Sequence, residues 1–210
     1  MFPLSPETLL AFGMASVLLA LAPGPDNIFV LTQSAMHGRA SGLVVTLGLC
    51  TGLLVHTTAV ALGVAVIFQA SALAFTVLKL VGAGYLLYLA WQAFHASASA
   101  IKTGTNGRLK FGKLYQRGII MNVTNPKVSI FFLAFLPQFA DPARGSLTLQ
   151  LICLGGVFIL ATVVVFGGIA WMAGSLGQWL IKNEKAQVIM NRVAGTVFVG
   201  LSVKLASTTR

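Results

Sequence analysis

Apolar stretches long enough to cross a bilayer fill most of this chain, and two of them are broken by proline. The first break reads Ala22-Pro23-Gly24-Pro25-Asp26-Asn27, and a weaker echo reads Asn122-Val123-Thr124-Asn125-Pro126-Lys127. Proline removes a backbone donor and clashes with the preceding turn of helix. In lipid such an interruption is tolerated only where the freed backbone is buried in protein or lines a cavity. Each break also carries side-chain amides and one ionisable group, Asp26 or Lys127. A charge at that depth costs at least ~2.5 kcal/mol and marks a functional site by default. The expectation is two broken helices meeting at the centre of a transporter.

Composition agrees with a membrane protein. Hydrophobic residues make up 57% of the chain and charged residues 9%, with a mean hydropathy of +0.89. A soluble domain carries about 25% charged residues. Ser5-Pro6-Glu7 reads as a helix start, with a capping hydroxyl, proline in the first turn and an acid near the positive end. No basic residue precedes Glu7, so a cleaved signal is not expected. The first span runs from Thr8 to Ala22, breaks at Pro23-Gly24-Pro25 and resumes to Met36. The second covers Ser41 to Phe68 and the third Leu73 to Phe94. A polar loop from His95 to Gln116 follows. The fourth span covers Arg117 to Phe139, broken at Asn125-Pro126, and Asp141-Pro142 marks a turn. The fifth covers Leu147 to Leu176 and the sixth Ala186 to Ala206. Each run reaches the ~20 residues that a bilayer requires.

The formal charge is +10. A basic balance suits nucleic acid, but here the bases sit in connections between apolar runs and no aromatic-rich reader accompanies them. They read as topology signals and contacts with anionic lipid. Lys102, Arg108, Lys110, Lys113 and Arg117 crowd one connection, and Arg39, Lys182 and Lys185 lie on the same side. The opposite connections are nearly neutral: residues 69–72 carry no charge, and Asp141 offsets Arg144. The positive-inside rule then places the long loop in the cytoplasm and both termini outside. Cys50 and Cys153 are far apart, with no CxxC, and read as small buried hydrophobes rather than redox or metal groups.

The chain reads as two three-span repeats, residues 1–94 and 117–210, joined by the basic loop 95–116. Gly42, Cys50 and Gly52 recur at constant offset as Gly145, Cys153 and Gly155. Lys79-Leu80-Val81-Gly82 aligns with Arg192-Val193-Ala194-Gly195, and Pro25-Asp26 with Pro126-Lys127. An odd number of spans per half makes the repeats inverted. Inverted repeats with paired broken helices point to a secondary transporter with its site near the midplane. The fold expected is an all-α membrane protein of six transmembrane helices, arranged as a 3+3 inverted repeat with the first and fourth broken at prolines.

Leu21-Ala22-Pro23-Gly24-Pro25-Asp26-Asn27 resembles the opening signature of the lysine exporter and homoserine/threonine resistance (LysE/RhtB) family. Gly48-Leu49-Cys50-Thr51-Gly52 with His56, Lys79 to Leu86, and Gly118 to Asn122 with Asn125-Pro126-Lys127 match its pattern in order. The resemblance covers nearly the whole chain. It implies an exporter of amino acids in the bacterial inner membrane, driven by the proton-motive force as an antiporter. Asp26-Asn27 resembles the branch handling neutral amino acids such as threonine, homoserine or leucine. The alternatives are export of another small solute or cation, or a passive channel of the same fold.

The residues suggest roles of their own. Pro25 suits the first position of the resumed helix, where its missing donor matters least. The free amides and positive dipole end beyond Gly24 then suit a carboxylate. Asp26 is a candidate partner for a substrate ammonium, or the carrier of a coupled proton. Burial favours a neutral acid and a nearby ammonium favours a carboxylate, so contact with Lys127 would make a switch. The alternative is an Asp26–Lys127 ion pair that only locks the repeats together. Asn122 and Asn125 share a helix face three residues apart; they serve the substrate or the backbone freed by Pro126. Asn27, Thr32 and Gln33 are further lining candidates. His56 lies on a stripe with Gly48 and Gly52 that reads first as close helix packing, with a proton relay as the second reading. Lys79, near a span end, snorkels or faces substrate. Tyr85, Tyr88 and Trp91 read as packing or interfacial aromatics. His37 and His95 stand at loop edges and carry no functional expectation. No catalytic set such as H-E-x-x-H is present, so an enzyme is not expected, nor is a cofactor or metal site. Partners expected are an amino acid, protons and the lipid bilayer, with glycine stripes that also permit a homodimer.

Overall fold

The computed structural model describes residues 3–70, 72–96, 109–172 and 183–207. Lys102, Arg108, Lys182 and the end of the fifth span at Leu176 lie outside the described residues. Among the described residues the secondary structure is helical throughout, with no strand. The chain is an all-α membrane protein: α3 (Arg39–Ala70), α4 (Ala72–His95), α7 (Leu147–Met172) and α8 (Glu184–Ser207) each hold a segment long and apolar enough to cross a bilayer. Two bent pairs make six spans if each counts as one.

The first pair is α1 (Pro6–Leu21) and α2 (Pro25–His37), bent by 62°. Ser5 caps α1 by accepting from the Thr8 amide at 3.2 Å, as its sequence suggests. α1 stops at Ala22 because neither Pro23 nor Pro25 has an amide to continue the ladder. Pro25 occupies the first position of α2, where that loss matters least. The second pair is α5 (Phe111–Val123) and α6 (Pro126–Ile130) with its continuation to Phe139, bent by 50°. Pro126 sits at the start of α6 as Pro25 does in α2, so Asp26 and Lys127 hold matching positions.

Two differences from the sequence expectation stand out. The fourth span begins near Phe111, not at Arg117, and so takes in part of the expected loop. Leu114 is the reason: it is fully buried, and Lys113 and Arg117 project outward on the same helix without breaking it. Beyond α6 the helix also widens to a π turn over Phe131–Phe135 and then tightens to 3-10 geometry over Leu136–Phe139. Pro137 explains the change, because it cannot donate to the preceding turn and its ring pushes against the carbonyl there.

Packing partners exchange neatly between the halves. α3 packs on α5 as α7 packs on α1, while α3–α7 and α4–α8 pair across the centre. Two apolar clusters result. One holds Phe12, Phe131, Phe132, Phe135 and Phe158. The other holds Val30, Val45, Leu49, Leu114 and Phe166. Helices α3 and α7 cross both: Leu53 and Leu154 belong to the first, Leu49 and Val165 to the second, while α4 and α8 pack only in the first. The polar residues of the two breaks lie between them in chain order.

Candidate functional site

The two breaks meet. Asn125 Nδ2, at the cap of α6, donates to Asp26 Oδ2 in the first turn of α2 at 3.0 Å. Asp26, Asn27, Asn122 and Asn125 are exposed by only 3%, 8%, 2% and 4%. Asn122 and Asn125 do not share a helix: Asn122 stands in the last turn of α5 and Asn125 caps α6, and it is Asn125 that reaches Asp26.

Lys127 does something the sequence conceals. Its Nζ donates to Ala22 O at 3.0 Å and to Leu19 O at 3.4 Å, the open carbonyls at the end of α1. No Asp26–Lys127 ion pair forms within 4.0 Å; among the described residues the ion pair is Arg144–Asp141, exposed, at 3.6 Å. The locking pair considered from sequence is therefore absent. A lysine ammonium is favourable there, since the last carbonyls of a helix form its negative pole. Gly24 makes the approach possible: a Cβ at position 24 would stand 3.1 Å from Lys127 Nζ. Asn27 completes the cap by donating from Nδ2 to Ala20 O at 2.6 Å. The end of α5 is treated alike, with His56 Nε2 donating to Asn122 O at 3.2 Å. His56 thus holds backbone and stacks near Phe132, ring centroids 5.6 Å apart.

The capping leaves an imbalance. Asp26 Oδ1, Asn27 Oδ1 and Asn122 Oδ1 are buried with no hydrogen-bond partner among the described residues. A buried acceptor left unmade costs about 1–3 kcal/mol, more when charged. The three unmatched acceptors come from both breaks, two from the first and one from the second. The N-terminus of α6 is closed by Asn125 Oδ1, which accepts from the Lys127 amide at 3.0 Å. That of α2 has no side-chain cap.

The other candidates divide. Thr32 Oγ1 and Gln33 Oε1, further along α2, are also buried without a partner. Lys79 lies on α4, half-buried. Tyr85, Tyr88 and Trp91 stack in succession along α4, with Tyr88 and Trp91 largely exposed. Among the described residues no group of three potential metal ligands occurs. His37 is the last residue of α2, at the edge of the turn as its sequence position suggests, and its Nδ1 is buried with no hydrogen-bond partner among the described residues. Lys127→Ala is expected to lower both export and thermal stability more than Lys79→Ala, by about 1–3 kcal/mol for the opened α1 cap. Thermal unfolding in detergent and an export assay check this; equal tolerance of both substitutions would remove the capping role.

Comparison with known sequences shows the family. The family model described as LysE type translocator matches residues 17–209, both breaks included. The chain belongs to that family. This LysE type translocator is similar over 198 residues to a homoserine/homoserine lactone efflux protein of Salmonella typhimurium, at 37% identity over 94% of this chain and 95% of that one. An uncharacterized membrane protein of Vibrio cholerae is 32% identical, over 94% of this chain and 96% of that one. A protein of Bacillus subtilis, named an uncharacterized membrane protein, is 29% identical over 94% and 98%. No solved structure matches the chain. Membership makes the chain a membrane translocator, not an enzyme, and its efflux relatives place it among exporters of small, amino-acid-like molecules.

Proposed function

We propose that this translocator is a secondary active exporter of small neutral amino acids of the threonine, homoserine and leucine kind, coupled to the proton-motive force. The observation that carries the reading is the set of three buried, unmatched acceptors, Asp26 Oδ1, Asn27 Oδ1 and Asn122 Oδ1, at the junction of the broken helices. A substrate ammonium has three donors and a positive charge to offer them. The uncapped start of α2 supplies amide donors for the substrate's acyl end. The efflux relatives, whose name specifies homoserine and homoserine lactone, support the same class of solute.

Coupling follows from Asp26. With solute bound, the carboxylate is matched by the ammonium; on release, a proton takes that role, so the acid is never left charged and alone in an apolar layer. The repeats face opposite ways and both termini lie outside in a bacterial inner membrane, as the basic connections direct. His56, Asn125 and Lys127 hold the junction in shape, while Asp26, Asn27 and Asn122 meet the solute.

Counterflow in loaded, inverted vesicles across a panel of amino acids tests this. The expected result is saturable exchange of neutral amino acids, with net export lost when a protonophore collapses the gradient. Flux that does not saturate, or that ignores the protonophore, would sink the reading in favour of a passive channel. Exchange confined to inorganic cations would replace the solute class.

A further inference from the structure

We infer that the seam between α2 and α5 is the polar route by which solute reaches Asp26 from the membrane face that carries the basic connections, with Gln33 and His37 as its outer polar subsite. The inference rests on the proposed function for the identity of the traveller, though not for the existence of the route.

Asp26, Gln33 and His37 are separated by seven and four residues. That spacing puts them on one stripe of α2. The stripe runs along the edge of the helix, since Asn27, Val30, Leu31 and Ser34 form its buried side while Ile28 and Met36 are exposed. Gln33 Oε1 and His37 Nδ1 are buried but have no partner among the described residues, whereas Ser34 turns its hydroxyl back to Val30 O at 2.7 Å. Polar atoms shielded by protein yet unmatched along a line to a buried carboxylate fit a path meant for hydrated solute. Burying such groups without partners is otherwise unfavourable.

α5 forms the opposite wall. α2 and α5 are in contact, and the Arg117 guanidinium stands over the Phe29 ring at 4.8 Å. Phe29 is one turn before Gln33 on the same side of α2, so Arg117 flanks the stripe part-way along it. At its inner end the wall closes at Val123, two residues before Asn125, whose Nδ2 donates to Asp26 Oδ2 at 3.0 Å. The outer end, where α2 closes at Gly38 and α5 begins after Lys110, is the basic face. The seam thus offers acceptors on α2 and a cation on α5, a pairing that suits a small zwitterion. On the other side of the junction the aromatic group of Phe131, Phe132, Phe135 and Phe158 is closely packed, with Phe131–Phe158 centroids at 5.2 Å. One side is shut by rings while the other is lined by unmatched polar atoms.

The test is thiol accessibility in full-length protein with Cys50 and Cys153 replaced by alanine. Single variants Gln33→Cys, His37→Cys, Ile28→Cys and Met36→Cys are treated in inverted and in right-side-out vesicles with a membrane-impermeant charged methanethiosulfonate. Gln33→Cys and His37→Cys are expected to react at least about tenfold faster than the two lipid-facing controls, because thiols in apolar surroundings are inert. Reaction is expected from the basic face, which inverted vesicles expose, and homoserine in excess is expected to slow it at position 33. Gln33→Cys and His37→Cys reacting no faster than Ile28→Cys would overturn the route. Reaction from the opposite face alone would overturn its direction. Should Gln33→Cys fail to fold, His37→Cys carries the same comparison. Labelling needs no export, so an accessible seam in a protein that exchanges no amino acid would refute the proposed function and leave the route standing.

Discussion

An Asp26→Asn variant is expected to insert, fold and accumulate like the parent and to export nothing measurable. The substitution keeps shape and volume. It also keeps an oxygen able to accept from Asn125 Nδ2, which now reaches Asp26 Oδ2 at 3.0 Å. What disappears is the charge and the capacity to bind a proton. A charge-assisted hydrogen bond is worth about 1.5–3 kcal/mol, so its loss alone lowers apparent affinity by about 10- to 100-fold. Without a titrating group the cycle also loses its link to the gradient, and accumulation against a concentration difference stops. Efflux from preloaded vesicles, read beside size-exclusion profiles of the same preparation, separates the two effects. Export at the parental rate from a well-folded Asp26→Asn protein would move the site elsewhere.

The second large effect is expected at the crossing of α3 and α5. A Cβ at Gly48 would collide with the Tyr115 carbonyl and stand 3.1 Å from Gly118 Cα; one at Gly118 would lie 2.6 Å from Val45 O. These neighbours are backbone and cannot rotate away. Gly48→Leu or Gly118→Leu must therefore separate the helices, and overpacking of this kind costs about 1–3 kcal/mol or more. Because the last turn of α5 holds Asn122, which also packs on Gly52, the separation withdraws an acceptor from the junction. Both variants are expected to lose most of the folded protein in detergent and nearly all export. Gly84→Ala, with open space around its Cβ, is the control expected to behave like the parent. Parental unfolding temperatures for Gly118→Leu would show that the crossing tolerates more room than the backbone contacts allow.

Much of this was legible in the residues because the signals are local. Proline at the first position of a helix has one meaning at Pro25 and Pro126, and both bends lie where those residues stand. Asp26 and Asn125 were recognisable as members of one site, since a carboxylate and amides inside apolar runs need company. Their pairing was not recognisable, because partners so far apart in sequence are chosen by how the halves pack. Lys127 is the sharpest case. Its charge suggested a bond to the available acid, yet the end of α1 offers open carbonyls in reach of its Nζ. The π turn was announced only by Pro137, whose effect falls on the residues before it. His37 read as a loop-edge residue because Gly38-Arg39 follows; its spacing from Asp26 was the signal that placed it on the same stripe.

Lys127 belongs to the second half of the chain and finishes the end of a helix in the first. During synthesis α1 therefore enters the bilayer with carbonyls that nothing from its own half is placed to satisfy in this way. Water or lipid headgroups must serve them until the later segment arrives, so the end of α1 is completed late in biogenesis although Pro23 and Pro25 already set its bend. A ribosome stalled before residue 127 would hold a nascent chain whose Leu19 and Ala22 carbonyls still lack their ammonium cap.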